Sequence, residues 1–406
     1  MAVGLELPSK LIPVNGIRLS AASANIYDKN RDDVVLIELC EGTVSSAVFT
    51  KNKFCAAPVI IAKTNLANTA ARYCLINAGN ANAGTGVPGI SNAKETCQSL
   101  SLLATCEQSE VLPFSTGVIG EDLPIEKIKQ ALPALLDSLS DNAWLKSAQA
   151  IMTTDTIAKA VSKQITIAGK TITITGIAKG SGMIKPNMAT MLSFIGTDAN
   201  VSKNALNEIL LYAVNKSFNR ITVDGDTSTN DASVLFATAK ANNPIIESNN
   251  SNEYLELQRA IVSVCQQLAQ AIVRDGEGAS KFISIQVNEG KNEQECLAVA
   301  YKIAESPLVK TAFTASDPNW GRILAAVGNA GLEDLDIDNI SIYLDDICIV
   351  ENGCRSKTYT EENGKRVMLQ EEIKLSVCLN RGESKEEVWT TDLSHEYITI
   401  NAEYRT

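Results

Sequence analysis

KGSGMIKPNMATMLSFIGTDA, residues 179–199, joins a glycine-bearing loop to an apolar run, and the joint falls at a threonine. Met191 to Gly196 is largely apolar on both faces, as expected of a strand covered on both sides. Just upstream, Ala160–Ile167 and Thr171–Ile177 are alternating runs joined around Ala168-Gly169-Lys170, which reads as a hairpin. A hairpin followed by a buried strand predicts an interior sheet, with Thr190 at the first position of its central strand. Lys179-Gly180-Ser181-Gly182 supplies a flexible approach headed by a cation, and Pro186-Asn187 suits a constrained turn.

A threonine hydroxyl is a poor nucleophile until a base takes its proton. The sole histidine of the 406 residues is His395, and a lone histidine in Ser394-His395-Glu396 reads as a surface or packing residue. Another base becomes available if the bond Ala189–Thr190 is cut, because the freed α-amine can activate the hydroxyl of its own residue. Such an amine has a reference pKa of about 7.7–8.0, against about 10.4 for an ε-amine, so it is substantially neutral near pH 7. Attack of Thr190 on the Ala189 carbonyl would form an ester whose hydrolysis releases that amine, and nearby glycines permit the strained geometry. This divides the chain into 1–189 and 190–406, two pieces that must stay intertwined around one sheet. On its own the threonine is as readily explained by β-propensity, so the wider chain has to weigh in.

That wider chain reads as mixed α/β without repeats or a Pro/Ser-rich linker, long enough for two or three packed units. Val34–Cys40, Ser45–Thr50, Tyr73–Ala78, Leu235–Ala239, Phe282–Val287, Ile340–Leu344 and Glu372–Leu379 have strand character. Ser91–Cys106, Pro124–Leu139, Ser202–Val214 and Asn252–Arg274 have helical spacing, the second with a kink or break expected at Pro133. Glu351–Lys365, polar throughout, reads as an exposed hairpin tip. A net charge of −11 with no Lys/Arg run argues against nucleic acid, and an anionic substrate must be met by a few local cations. No apolar run reaches bilayer-spanning length and the N-terminus has no targeting pattern. Ten scattered cysteines with no Cys-x-x-Cys spacing read as buried thiols of a cytoplasmic protein, with no metal site.

Two further loops carry polar chemistry. Asp224, Asp226 and Asp231, in SFNRITVDGDTSTND, fail the EF-hand pattern, because Thr229 and Leu235 occupy its glycine and bidentate-glutamate positions. They read as a structural acidic turn. Ser115-Thr116-Gly117 reads either as a strand-to-loop turn ahead of a helix near Glu121 or as a pair of oxyanion donors, the Thr116 hydroxyl and the Gly117 N–H. A phosphate-binding loop is disfavoured, since Gln164 stands where its first glycine is needed.

Together with the opening stretch, the strings NAGNANAGTG (77–86), STGVIGE (115–121), TTDT (153–156), RITVDGDTSTND (220–231), RDGEGASK (274–281), DPNWGRI (317–323) and the terminal NAEYRT resemble the ornithine acetyltransferase family of arginine biosynthesis. The resemblance implies an α/β fold with mixed sheets and packed helices, shared with the L-aminopeptidase/D-esterase group. It also implies a precursor that cuts itself between Ala189 and Thr190, followed by ping-pong transfer of acetyl from N-acetylornithine to glutamate through Thr190. By similarity Thr116 and Gly117 form the oxyanion hole. Thr153, Lys179, Thr190, Glu277, Asn401 and Thr406 bind substrate, and two cleaved pairs assemble as a dimer. No cofactor is implied, while acetyl-CoA stays open as a second donor. Gly84, where many relatives carry cysteine, and Ala158, where proline is frequent, depart from the pattern without touching a catalytic atom. The alternative is a hydrolase of the N-terminal-nucleophile aminopeptidase or amidohydrolase kind, which gives the acyl group to water.

Overall fold

The hairpin forms as read. In the computed structural model, which describes residues 2–8, 10–27, 31–185, 191–247 and 249–403, Lys159–Ile167 pairs one-to-one with Lys170–Lys179. The turn passes through Ala168 (φ 49°) and Gly169 (φ 74°), two successive positive-φ residues of the kind that suits tight hairpins. The strand Leu192–Thr197 then pairs antiparallel with Lys170–Lys179 and parallel with Ala232–Ala237. It is third of five strands, in the order Val44–Phe49, Ala232–Ala237, Leu192–Thr197, Lys170–Lys179, Lys159–Ile167. Thr190 and its expected place at the strand's first position lie outside the described residues.

Strand alternation splits the core in two. Leu192 and Phe194 face a second, four-stranded sheet, in the order Ile17–Ala22, Val34–Leu39, Tyr73–Asn80, Val111–Val118, while Ile195 faces the helices Lys203–Asn215 and Asn252–Arg274. The rings of Phe194 and Phe114 meet edge-to-face between the sheets, centroids 5.0 Å apart. The outer face of the four-stranded sheet is covered by Gly86–Ala104 and Ile125–Asp137. The result is a helix–sheet–sheet–helix sandwich. Residues beyond 280 build a further layer, most of a seven-stranded sheet with its own apolar core. That sheet is joined to the sandwich through Ile221–Thr222, which pairs with Ser384–Thr391.

The expected strands and helices are present, with bounds shifted by a few residues, and Asn252–Arg274 matches end to end. Three local readings are corrected. Pro133 does not break its helix into two: Ile125–Asp137 continues through it, and the proline is exposed. Thr116 and Gly117 sit within the strand Val111–Val118 rather than in a turn, and the next helix opens at Ile125, not near Glu121. Glu351–Lys365 is only in part a hairpin tip. Asn352-Gly353 turns the chain between Ile347–Glu351 and Cys354–Arg355, and then Thr360 caps a helix, Glu361–Met368, held down by Val367 and Met368 just past the polar stretch.

Candidate active site

A cavity of about 280 Å³ opens where the ends of the two stacked sheets meet the residues before the central strand. Thr116, Gly117, Thr153, Lys179, Glu277 and Asn401, separated by up to 285 positions in sequence, all line it. The family resemblance implies a role for each of these, and the fold brings all six to one cavity. Ala189, Thr190 and Thr406 lie outside the described residues. Met191, the next residue after Thr190, is buried, and its carbonyl accepts from the Ala232 N–H.

The wall bearing Thr116 and Gly117 is shaped by an irregularity. The parallel ladder between Tyr73–Asn80 and Val111–Val118 shifts register at Gly79/Asn80, so that Asn80 opposes both Thr116 and Val118. Gly117 takes φ 132°, and a Cβ there would collide with the backbone of Gly79 and Asn80, so only glycine fits. Asn230 holds this wall from behind, its amide donating to the carbonyls of Ala81 (2.6 Å) and Ser115 (2.9 Å). Among the described residues the Thr116 hydroxyl makes no hydrogen bond, so it is a free donor facing the cavity.

Lys179 ends the hairpin strand and is buried. Among the described residues its ammonium has no hydrogen bond or ion pair. Burial pushes its pKa below the ordinary lysine value and Lys159 adds to that, while Asp155, Asp231 and Glu277 pull the other way. A desolvated, unpaired cation in a cavity wall is suited to a carboxylate ligand. Behind it Lys159 is gripped by Asp155 and Asp275, each 2.6 Å away, with all three side chains fully buried. Burial favours the neutral acid at Asp155, yet the charges of Lys159 and Lys179 and the hydrogen bonds from Lys159 and the Thr153 N–H outweigh it. Its pKa therefore falls below the usual range. Asp155 also accepts from the Gly180 N–H at 2.7 Å, which fixes the start of the glycine loop.

Glu277 also lines the cavity. Its N–H donates to the Ser181 carbonyl (2.9 Å), and its carboxylate accepts from the Asn401 amide (2.8 Å). The carboxylate lies so close to Gly182 that any Cβ at 182 would strike it. The acidic turn also finds its role here. Asp224 accepts from the N–H groups of Met183 (2.6 Å) and Ile184 (2.8 Å), and burial raises its pKa against those bonds. Asp231 is fully buried behind the cavity, and its pKa is raised well above the usual value by burial, with Lys179 opposing.

Sequence reasoning had not placed Ala81, Val118, Ile119, Thr154, Met183 or Ser228–Asn230 in the cavity. The strings quoted around them were the available signal, but only the fold shows which residues of a string turn inward. The cavity lining thus combines hydroxyl and N–H donors, a cation with no partner among the described residues and a carboxylate. With the stacked mixed sheets, this makes an α/β protein with a polar cavity suited to a small charged substrate. The profile of the ArgJ family matches residues 18–406. Two proteins described as arginine biosynthesis bifunctional protein ArgJ align over the full length of both chains, at 56% identity in Pseudomonas fluorescens and 55% in Pseudomonas syringae pv. tomato. A crystal structure of the Bacillus halodurans protein of the same description is 37% identical, with a TM-score of 0.49, covering 50% of this chain and 95% of its own. The chain belongs to the ArgJ family.

Proposed function

We propose that this chain transfers acetyl from N-acetylornithine to glutamate in arginine biosynthesis. It is an acyltransferase, and its similarity to the bifunctional relatives favours transfer over the aminopeptidase or amidohydrolase alternative. The observation that carries the substrate reading is the presence of a buried lysine, Lys179, and a carboxylate, Glu277, in the lining of one cavity of amino-acid size. Lys179 takes the α-carboxylate, Glu277 and Asn401 take a cationic amine, and Thr153 adds a hydroxyl.

In the proposed cycle the Thr190 hydroxyl attacks the acetyl carbonyl, and the α-amine of Thr190 accepts the hydroxyl proton. The oxyanion is met by the Thr116 hydroxyl and the Gly117 N–H. Collapse breaks the C–N bond, the proton passes to the departing amine of ornithine, and an acetyl ester remains on Thr190. The amine of glutamate then attacks that ester by the same route in reverse. This requires prior cleavage between Ala189 and Thr190, with 1–189 and 190–406 retained in one particle, and we infer a dimer of such pairs in the cytoplasm. Acetyl-CoA serves as the second donor on this reading, in keeping with the word bifunctional in the relatives' names.

Mass spectrometry of purified protein, combined with an assay offering each donor in turn, tests the scheme. Two fragments and formation of N-acetylglutamate with release of ornithine are expected; release of acetate alone would favour the hydrolase. Thr190→Ala should stay a single chain and transfer nothing, and retained transfer by that variant refutes the nucleophile.

A further inference from the structure

We propose that the loop Lys51–Phe54 is the docking platform for the nucleotide end of a coenzyme A thioester, beside the mouth of the catalytic cavity. The inference rests on the bifunctional reading above and names where its second donor sits. Coenzyme A carries an adenine ring and several phosphate charges at one end and the acyl thioester at the other, so it needs cations and an exposed aromatic face at arm's length from the nucleophile.

The chain bears a net charge of −11, yet this loop concentrates the opposite sign. Lys51 and Lys53 are exposed, and among the described residues neither makes an ion pair or hydrogen bond. Lys63 brings a third ammonium to the base of the loop, 3.4 Å from the Thr50 carbonyl and over the Phe49 ring. Unpaired lysines of this kind are suited to phosphate, as point charges that stay hydrated until the ligand arrives. Next in the chain after Lys53 stands Phe54, with 55% of its surface exposed, a state suited to stacking a base.

The loop and the residues flanking it are bonded to the segment 227–229, part of which lines the cavity. Thr50 donates through its hydroxyl to the Ser228 carbonyl (2.9 Å), Asn52 through its amide to the Thr227 carbonyl (2.8 Å), and Ala56 through its N–H to the Thr229 carbonyl (3.0 Å). Ser228 and Thr229 line the cavity. On the other side the Phe54 ring lies against Gly84, where an added Cβ would come within 3.0 Å of Cζ and 3.9 Å of the Gly120 Cα. Ile119, the neighbour of Gly120, lines the cavity with Val118 and Ala81. Phe54 is thus joined, through Gly84 and the Gly120 backbone, to the segment that brings Ile119 and Val118 to the cavity, while Lys179 and Glu277 hold the amino-acid end. From the platform the thioester carbonyl reaches Thr190: the C–S bond breaks, the C–O ester bond forms, and the hydroxyl proton passes through the α-amine to the thiolate of coenzyme A.

The test compares two donors on the full-length protein. In Lys51→Glu/Lys53→Glu, and separately in Phe54→Ala, the KM for acetyl-CoA should rise about tenfold at low ionic strength, with added salt narrowing the gap for the lysine pair. The KM for N-acetylornithine should keep its wild-type value. An unchanged KM for acetyl-CoA, or an equal rise for both donors, overturns the platform. Wild-type protein that accepts N-acetylornithine but not acetyl-CoA also overturns it, while leaving the transfer reading intact; activity with neither donor would instead sink the transfer reading itself.

Discussion

At the scale of single residues, the chemistry turns on a buried cation with no partner among the described residues. Burial holds the Lys179 pKa below the ordinary lysine range, so its positive charge is lost at a lower pH than for an exposed lysine. If that charge receives the substrate carboxylate, binding weakens on the alkaline side as the proton leaves. The KM for N-acetylornithine should climb through a pH range below that of an ordinary lysine, while a limb placed at the ordinary range would contradict the assignment. Lys179→Met should remove the limb and raise KM about 10- to 100-fold, the worth of a hydrogen bond to a charged group. The sequence disclosed this lysine as the head of a glycine loop, but not that it would be desolvated and unpaired, because that depends on Asp155 having been claimed by Lys159.

At the scale of elements, that claim is a structural keystone. Lys159 begins the hairpin strand Lys159–Ile167, Asp155 precedes it, and Asp275 follows the long helix Asn252–Arg274. Their buried triad ties sheet to helix directly beneath the cavity. Lys159→Met leaves two carboxylates buried without a cation and should cost about 3–5 kcal/mol, read as a fall in the denaturant midpoint at neutral pH. With Lys159 present, the folded pKa of Asp155 lies below its unfolded value, so its contribution is complete above about pH 5 and fades only as pH falls through the lower, folded value. Elements were the most legible part of the sequence. Strict alternation gave the hairpin, and a stripe from Leu257 to Ile272 gave the long helix, because each pattern is local. Pro133 and the stretch after Glu351 misled because exposure and a buried anchor outside the window decided them. The convergence of Thr116, Lys179 and Glu277 depends on sheet stacking and was reached by resemblance, not from the residues themselves.

At the scale of the whole molecule, three strands from before residue 190 and two from after it form one five-stranded sheet. Fragments 1–189 and 190–406 should therefore elute together from a sizing column under native conditions and part only in denaturant; separation in native buffer would show that the sheet is not shared. The mid-sheet position of Leu192–Thr197 also fixes an order of events. A nick made in the nascent polypeptide would leave two halves to find each other in solution, whereas the same nick after assembly would meet a sheet already formed. Under the proposed cleavage, misassembled copies would never acquire the reactive terminus, so maturation would double as proofreading, and catalytic competence would be issued only to molecules that had already passed inspection by their own architecture.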